Sequence, residues 1–325
     1  MEKQKHKIIV IVGTTSSGKS DLAVEIAKKF DGEVISADSR QVYRDLDIGT
    51  GKITKQEMKG VPHHLLDVAS PRRPFTAAQF KKKGEKALRD IIKRGKLPII
   101  AGGTGFYIDA LLGSSDLPEV PPNPKLRTRL EKKSAPELFA ELKTLDPRRA
   151  EDIDPHNPRR LIRAIEIASA LGAVPNLSAG DSGKYDVLWI GLELDKETLI
   201  EKIARRNEQM MFPIYPRAKR LVVNRNAGKQ SRVVKKGLVA EVKKLREQNI
   251  SWKRINELGF EYKFIVQVIK GEIPKEEALQ KMNTETWHYA KRQKNWFKRN
   301  EKIKWFGSED VKKIEKLVGG FVNKK

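Results

Sequence analysis

One short stretch of this chain, residues 8 to 20, restricts the fold more than any other feature. It reads IIVIV and then GTTSSGKS. An apolar β-branched run followed by G-x-x-x-x-G-K-[ST] is typical of a strand that leads into a phosphate-binding loop, with a helix behind it. The glycines let the backbone close around phosphate oxygens, and the loop N–H groups stabilise their charge. The loop therefore predicts a bound di- or triphosphate, whatever reaction follows.

The candidate diphosphate-binding residues are the eight positions of this loop. They are Gly13, Thr14, Thr15, Ser16, Ser17, Gly18, Lys19 and Ser20. Lys19 would contact the diphosphate, and the Ser20 hydroxyl would complete a Mg²⁺ site that bridges phosphate oxygens. A glycine-rich turn without a ligand is the alternative, and the Lys19-Ser20 pair makes it the poorer interpretation.

Strand and helix patterns alternate after the loop. A strand pattern ends at Asp38, a helical pattern covers 76–93, and a third strand precedes a turn at Thr104. This alternation predicts an α/β fold with a doubly wound parallel sheet. Ligands of such sheets bind beyond the carboxyl ends of the strands. We therefore expect the loop, Asp38 and Thr104 to converge on one crevice.

The alternation stops in a proline-rich passage near Leu117, which sets the predicted domain boundaries. Residues 1–116 form the first part of the α/β core, and 117–183 form an inserted all-helical subdomain. Within it, Pro158 lies in the first turn of a helix and Gly172 ends that helix. Residues 184–325 return to the core with a strand at 186–194 and finish in basic helices.

Charge is the most unusual property of the composition. Lys and Arg number 66 against 42 Asp and Glu, a formal net charge of +24. An excess of this size favours nucleic acid or an anionic membrane as a partner, although a solvated lysine-rich surface is the alternative. The chain has no cysteine, which excludes disulfides and Cys-ligated zinc. Without an apolar run long enough for a signal peptide or membrane span, we expect a soluble cytoplasmic protein and no membrane partner.

Asp38 is the main candidate for catalysis. A phosphate-loop hydrolase needs a carboxylate after a later strand to hold metal and water, but the strand at 97–101 ends in Gly-Gly-Thr. Asp38 is the acid at a strand end near the loop. This argues against steady ATP hydrolysis and leaves Asp38 to act as a general base. A helix cap or a metal ligand is an equally open interpretation.

Several other regions have the composition of RNA contacts. Arg159, Arg160 and Arg163 open one helix, and 205–236 carries ten basic residues and one acid. Gln41 and Tyr43 can read or stack on a base, although a polar loop is the commoner case. The aromatic residues of 287–306 can stack on bases or pack in the core, and packing is the preferred interpretation.

At this point the chain resembles a known family. It contains GTTSSGKS, GEVISADSRQVYRDLDIGTGK, GVPHHLLD, AGGTGFYIDALL, NPRRLIRAIEI, GEIPKEEA and AKRQKNWFKR, in that order. These motifs are similar to those of tRNA dimethylallyltransferases, which isopentenylate the adenine next to the anticodon, and the resemblance runs from about residue 8 to 306. The resemblance implies transfer from dimethylallyl diphosphate to N6 of the adenine 3′-adjacent to the anticodon, in tRNAs reading codons that begin with U. It also implies Mg²⁺ as cofactor.

The resemblance also implies roles for individual residues. Thr15 and Arg206 would steady the departing diphosphate, while Asp38 would take a proton from the adenine N6 amine. Ser20 would serve as the metal ligand. Contacts to the anticodon stem-loop would come from Asp38, Ser39, Arg40, Gln41, Thr104, Arg127, Arg159, Arg160 and Arg163. The adenine must leave its stack to reach a buried site, so base flipping is expected. The protein is expected to act as a monomer.

Two departures from the family pattern stand out. A basic segment, MFPIYPRAKRLVVNRNAGKQSRVVKK, occupies 211–236, where relatives pass within a few residues to the next helix. We interpret it as an inserted mobile loop that grips RNA backbone. The C-terminal Cys/His zinc finger of many eukaryotic members is missing, which indicates a bacterial-type enzyme.

Three other functions compete with this one. Adenylate isopentenyltransferases prenylate free AMP, ADP or ATP, although a nucleotide-sized acceptor would not require so basic a chain. A phosphate-loop small-molecule kinase would need an adenine clamp and a lid of arginines, for which the sequence has no clear candidate. A non-catalytic RNA-binding protein would be indifferent to Asp38→Asn.

Overall fold

A parallel sheet forms the centre of the structure, a computed structural model that describes residues 5–113, 117–175, 183–212 and 237–324. Its strands in those ranges are β1 (His6–Gly13), β2 (Gly32–Ser36), β3 (His63–His64), β4 (Leu97–Ala101), β5 (Tyr185–Leu192) and β6 (Lys304–Phe306). They lie in the order β3-β2-β4-β1-β5-β6, and each neighbouring pair is parallel. The predicted α/β fold with a doubly wound parallel sheet is confirmed.

Helices connect the strands and build the rest of the described chain. The first three are α1 (Lys19–Lys29), α2 (Ala77–Lys93) and α3 (Gly105–Leu112). Four follow between β4 and β5: α4 (Pro124–Leu130), α5 (Ala135–Leu145), α6 (Pro147–Asp152) and α7 (Pro158–Leu171). The others are α8 (Lys196–Met211), α9 (Leu238–Glu247), α10 (Trp252–Leu258), α11 (Phe260–Ile269), α12 (Lys275–Phe297) and α13 (Val311–Asn323). None of these described helices is both long and apolar enough to cross a bilayer.

The chain divides into two units. The larger combines Met1–Leu112 with Ser182–Lys325 and contains the whole sheet, and the smaller is Gly113–Asp181. The described elements of the smaller unit, α4 to α7, are all helices. The helical insertion of the predicted fold is therefore present. The basic segment proposed as an insertion at 211–236 lies, beyond Phe212, outside the described residues.

Strand β1 is central because every side chain in its apolar run is buried. The five side chains from Ile8 to Val12 have no exposed surface. Ile8, Val10 and Val12 pack into one apolar cluster, and Ile9 and Ile11 pack into another. A strand covered on both faces needs a continuous apolar run rather than an alternating one. The IIVIV pattern meets this requirement and delivers the phosphate-binding loop to the centre of the sheet edge.

The structure differs from the predicted elements in two places. Strand β2 ends at Ser36, so Asp38 lies two residues beyond it. The sequence predicts that the chain finishes in basic helices, yet β6 near its end pairs with β5 through Gly191 and Trp305. A Cβ at Gly191 would lie 2.5 Å from the Trp305 ring. Three residues carry too little periodicity to indicate a strand, and the partner strand is more than a hundred residues away in sequence.

A buried carboxylate holds the smaller unit together. Glu166 on α7 has no exposed side-chain surface. It accepts two hydrogen bonds of 2.7 Å from Arg127 and one of 3.1 Å from Arg163. Burial alone would raise the pKa of Glu166, but the hydrogen bonds from Arg127, the Asn123 backbone and Arg163 lower it below its usual range. The carboxylate therefore stays charged and joins α4 to α7.

We predict that Glu166→Gln will loosen this unit. The neutral amide leaves Arg127 and Arg163 without their charge partner, and the cost should be about 2–4 kcal/mol because both guanidinium groups still reach water. Hydrogen exchange of the α7 amides measures this free energy of local opening. The matched control is Glu141→Gln, which removes the partner of Arg129 and Lys133. Its effect should stay below about 1 kcal/mol, and equal effects of the two changes would contradict the prediction.

Candidate functional site

The phosphate-binding loop joins β1 to α1 through backbone that most side chains cannot adopt. Ser16 and Gly18 have φ angles of 62° and 91°. Gly13 faces a neighbouring backbone, and a Cβ there would lie 2.5 Å from the Leu192 carbonyl oxygen. Position 13 therefore requires glycine because the Leu192 carbonyl approaches so closely, and position 18 requires it because its backbone is left-handed. This part of the loop forms as the motif predicts.

Lys19 lies across the loop. Its ammonium group donates to the Thr14 carbonyl and lies 3.5 Å from the Ser17 hydroxyl. Burial lowers its pKa to about 8, with the charge of Asp38 acting in the opposite direction and that of Arg206 adding to the decrease. The buried hydroxyl oxygens of Thr14 and Ser16 have no hydrogen-bond partner among the described residues. The loop thus holds a cation and, in the Ser16 hydroxyl, a spare donor that phosphate oxygens would satisfy.

One cavity of about 440 Å³ lies at the carboxyl ends of the strands. It is lined by the loop and the start of α1 (residues 15–21), Val34, Ser36, Asp38, Gln41, Thr50, Gly51, Ile53, His63, Ala101, Gly102, Gly103, Lys202, Arg206, Tyr289 and Gln293. Thr104 joins the same region because its hydroxyl accepts a 3.0 Å hydrogen bond from the Ser39 N–H. The expected convergence of three sequence-distant elements is found.

Arg206 reaches the loop from α8. Its guanidinium donates to the Thr15 hydroxyl and, at 3.0 Å, to the Thr50 carbonyl. Gly51 leaves the space for it, since a Cβ there would lie 2.5 Å from an Arg206 nitrogen. The two residues expected to act on the leaving group are therefore in direct contact, with a positive charge beside the loop.

Asp38 is half-buried in a turn that its own side chain stabilises. Its Oδ1 accepts hydrogen bonds from the N–H groups of Arg40 and Gln41, at 2.8 and 3.2 Å. No hydrogen bond from the described residues reaches Oδ2. Capping and proton transfer are thus compatible in one carboxylate, because one oxygen fixes its orientation and the other is available in the cavity.

Side chains that follow Asp38 in the sequence form hydrogen bonds within the protein itself. Arg40 is exposed and donates to the Glu257 carbonyl at 3.2 Å. The amide of Gln41 donates to the Gly51 carbonyl at 3.3 Å and accepts from Ser36. Tyr43 is 3% exposed and accepts a 2.8 Å bond from the Phe75 N–H. Stacking of Tyr43 on a base, one of the two interpretations above, is therefore wrong.

Most aromatic residues of α12 and β6 pack into the core, as preferred from the sequence, and Tyr289 is the exception. Phe297 is 3% exposed. The Trp296 ring leaves no room for a Cβ at Gly105, and its N–H donates to Asp109 at 3.1 Å. These contacts fix α12 against α3 and the sheet.

Three residues of the site were not expected from the sequence. Gln293 and Tyr289 reach the cavity from α12, and Tyr289 lies beside Thr104. Burial raises the pKa of Tyr289 to about 12, so its phenol stays protonated. Burial also raises the pKa of Glu261 to about 7, with the charges of Arg206 and Arg40 acting in the opposite direction. Glu261 is thus a second carboxylate near Asp38. In the sequence, only the i, i+4 spacing of Tyr289 and Gln293 could have indicated that one face of α12 borders the site.

The four candidate arginines of the smaller unit differ in their surroundings. Arg127 and Arg163 are tied to Glu166, whereas Arg159 and Arg160 are exposed in the first turn of α7. The sequence pattern treated all four as equivalent. Within this unit, Arg159 and Arg160 are thus the more accessible cations.

Comparison with known proteins places these features in a family. The family model described as IPP transferase matches residues 41–212 and 218–300. The break at 213–217 falls inside the basic segment interpreted as an insertion. A tRNA dimethylallyltransferase of Thermoanaerobacter sp. is 38% identical over 96% of this chain and 95% of its own length. One of Staphylococcus carnosus is 37% identical over 94% and 92%.

Solved structures are similar over the same range. The tRNA delta(2)-isopentenylpyrophosphate transferase of Staphylococcus epidermidis superposes with a TM-score of 0.67 at 36% identity, over 98% of this chain and 99% of that one. A eukaryotic dimethylallyltransferase acting on tRNA gives 0.75 at 25% identity, over 98% and 79%. Motifs, site geometry and these matches agree, and the chain belongs to the tRNA dimethylallyltransferase (IPP transferase) family.

Proposed function

We propose that this chain transfers a dimethylallyl group from dimethylallyl diphosphate to N6 of the adenine 3′-adjacent to the anticodon, in tRNAs that read codons beginning with U. The products are N6-isopentenyladenosine and diphosphate. As a member of its family it is an enzyme, a prenyltransferase of tRNA. The observation that carries the proposal is that the phosphate-binding loop, Asp38 and Arg206 line one cavity. We also propose that it acts as a monomer on the anticodon stem-loop.

The residues of the cavity account for each part of the reaction. The N6 lone pair attacks the first carbon of the allylic group, and the carbon–oxygen bond breaks with its electron pair passing to the diphosphate. Lys19 and the loop N–H groups hold that diphosphate, and Arg206 with Thr15 steadies it as it leaves. The Oδ2 atom of Asp38 takes the N6 proton. The adenine would occupy the part of the cavity beside Asp38 and Gly103.

The residues present fit a Mg²⁺ ion held largely by the substrate. Ser20 is exposed at the start of α1 and lines the cavity beside Lys19. The described residues contain no group of three or more His, Cys, Asp or Glu side chains able to hold a metal. Mg²⁺ commonly keeps several waters and binds through few protein groups plus phosphates. Ser20 and the diphosphate oxygens would hold it, and when bound it would offset the charge of the leaving group.

The free-nucleotide alternative is not favoured. The relatives that match nearly the whole chain are named as enzymes that act on tRNA. The net charge of +24 and the exposed Arg159 and Arg160 suit an RNA acceptor. The deciding assay follows label from dimethylallyl diphosphate into an anticodon stem-loop or into AMP, with and without Mg²⁺. Label in the RNA alone, dependent on Mg²⁺, is the expected result, and label in AMP alone would overturn it.

We predict that Asp38→Asn will abolish transfer without loosening either substrate. The amide can still cap its turn, but it cannot accept the N6 proton, so kcat should fall by about 10²–10⁴. The affinities for diphosphate and for tRNA, measured separately, should stay within about threefold of wild type. Asp186→Asn removes an exposed carboxylate at the opposite end of β5 and should leave kcat unchanged. Activity of Asp38→Asn near the wild-type level would show that another group takes the proton.

Diphosphate binding should weaken as the pH rises through the pKa of Lys19. In the free protein that pKa is about 8. A bound diphosphate raises it, so binding takes up a proton between the free and bound values, and affinity falls by up to about tenfold per pH unit there. Calorimetric titration with inorganic diphosphate, in two buffers of different ionisation enthalpy, measures both the affinity and the proton uptake. Lys19→Met should bind weakly with little pH dependence above 8, whereas a flat wild-type profile would contradict this account.

We expect Arg159 and Arg160 to contact tRNA phosphates. Changing both to Gln should lower tRNA affinity by about tenfold or more and reduce the slope of log K against log salt by about 1 per lost contact. Neither residue hydrogen-bonds to Glu166, so the stability of the fold should be unaffected. Arg129→Gln is the matched removal of an exposed charge, already paired with Glu141. An equal effect of Arg129→Gln would show that the unit acts only through its total charge.

A further inference from the structure

We propose that Gln293 is a positioning residue of this reaction, whose amide holds the phosphate-binding loop and the turn after β4 at a fixed distance. This inference rests on the proposed function. The loop carries the diphosphate half of the reaction and the turn borders the acceptor half. Gln293 comes from α12, 278 residues after Thr15 in the chain.

Both ends of the Gln293 amide are used. Its Oε1 accepts a 2.8 Å hydrogen bond from the Thr15 N–H, and its Nε2 donates to the Gly103 carbonyl at 2.9 Å. The residue is 5% exposed. One end must accept and the other must donate, which a carboxylate, a hydrocarbon or an ammonium group cannot do. The bridge therefore requires an amide or a protonated carboxyl group.

The Gly102-Gly103 pair leaves the space for this bridge. A Cβ at Gly103 would lie 2.0 Å from Nε2 of Gln293, and one at Gly102 would lie 2.2 Å from the Ala37 carbonyl oxygen. Neither contact is possible for a real side chain. A side chain at position 103 would therefore displace the Gln293 amide, and one at position 102 would meet the backbone that follows β2.

The bridge connects the two chemical halves of the cavity. The Thr15 residue that Gln293 holds by its N–H also receives the Arg206 guanidinium on its hydroxyl. On the other side, Thr104 follows Gly103 and accepts from the N–H of Ser39, the neighbour of Asp38. Tyr289, one helical turn before Gln293, lines the same cavity beside Thr104. One face of α12 thus sets the separation between the leaving-group residues and the base.

The test compares Gln293→Leu and Gln293→Glu with the wild-type enzyme in single-turnover transfer to an anticodon stem-loop. A shift of about 1 Å between reacting groups costs on the order of 10²-fold in rate. We expect both variants to lose about 10- to 100-fold in the chemical step. The stem-loop affinity and the thermal midpoint of unfolding should stay near wild type. The matched control is Gln267→Leu on α11, which removes an amide whose buried oxygen has no partner among the described residues, and it should keep the wild-type rate.

The pH profile of Gln293→Glu separates positioning from a general structural role. Burial raises the pKa of the introduced carboxyl, and its protonated form can accept from Thr15 and donate to Gly103, as the amide does. Its rate relative to wild type should therefore rise as the pH falls. The other titratable groups of the cavity are Lys19, Asp21, Asp38, His63, Lys202, Arg206 and Tyr289, with Glu261 nearby. They are common to both enzymes, so their effects on the rate largely cancel in the ratio.

The outcomes are distinct. A normal chemical step in Gln293→Leu would overturn the proposal. A rate that falls only together with the unfolding midpoint, with a pH-independent ratio for Gln293→Glu, would also overturn it, because the residue would then support the fold alone. If the wild-type chain itself transfers no label, the proposed function fails first, and this inference fails with it.

Discussion

The pairing of β1 with β4 on one side and β5 on the other determines where every part of the site lies. Parallel strands end at the same edge, so Gly13, Ala101 and Leu192 meet there. The chain can then turn into three loops within a few ångströms of each other. The contact is so close that the Leu192 carbonyl excludes any side chain at position 13. The phosphate-binding loop is thus a consequence of the sheet order as much as of its own glycines.

The electrostatic balance of the cavity favours an anionic ligand. Lys19 and Arg206 place two cations beside a single loop, and burial lowers the pKa of Lys19 to about 8. A buried cation without a counter-charge is unfavourable, so a bound diphosphate would supply the negative charge that the free site lacks. The unpaired hydroxyl of Ser16 acts in the same direction. Asp38 adds a negative charge to the same cavity, and under the proposed function it takes the proton that the acceptor loses.

What the sequence predicts depends on how local the physical cause is. The loop at 13–20 is local, because backbone geometry and helix N-terminus lie within eight residues, and it formed as expected. Asp38 and Thr104 followed from the general rule that sites lie at strand ends. Gln293 and Glu261 could not be predicted this way, since their partners lie in distant segments and only packing brings them together. Strand β6 was missed for the same reason, because its edge position follows from contact with Gly191.

The arginines of the smaller unit also show that local sequence patterns cannot predict contacts made by tertiary packing. Helical spacing correctly puts several of them near the start of α7, but spacing carries no information on which of them a buried acid will hold. Glu166 neutralises one charge of the Arg127–Arg163 pair and fixes the orientation of both guanidinium groups. A fixed guanidinium loses less entropy on binding a phosphate than a free one, although it offers fewer unpaired N–H groups. Arg159 and Arg160 have the opposite properties, because their side chains are exposed and are not held by Glu166. The unit therefore combines oriented cations with freely accessible ones. This combination suits an RNA backbone, which must be both oriented and bound.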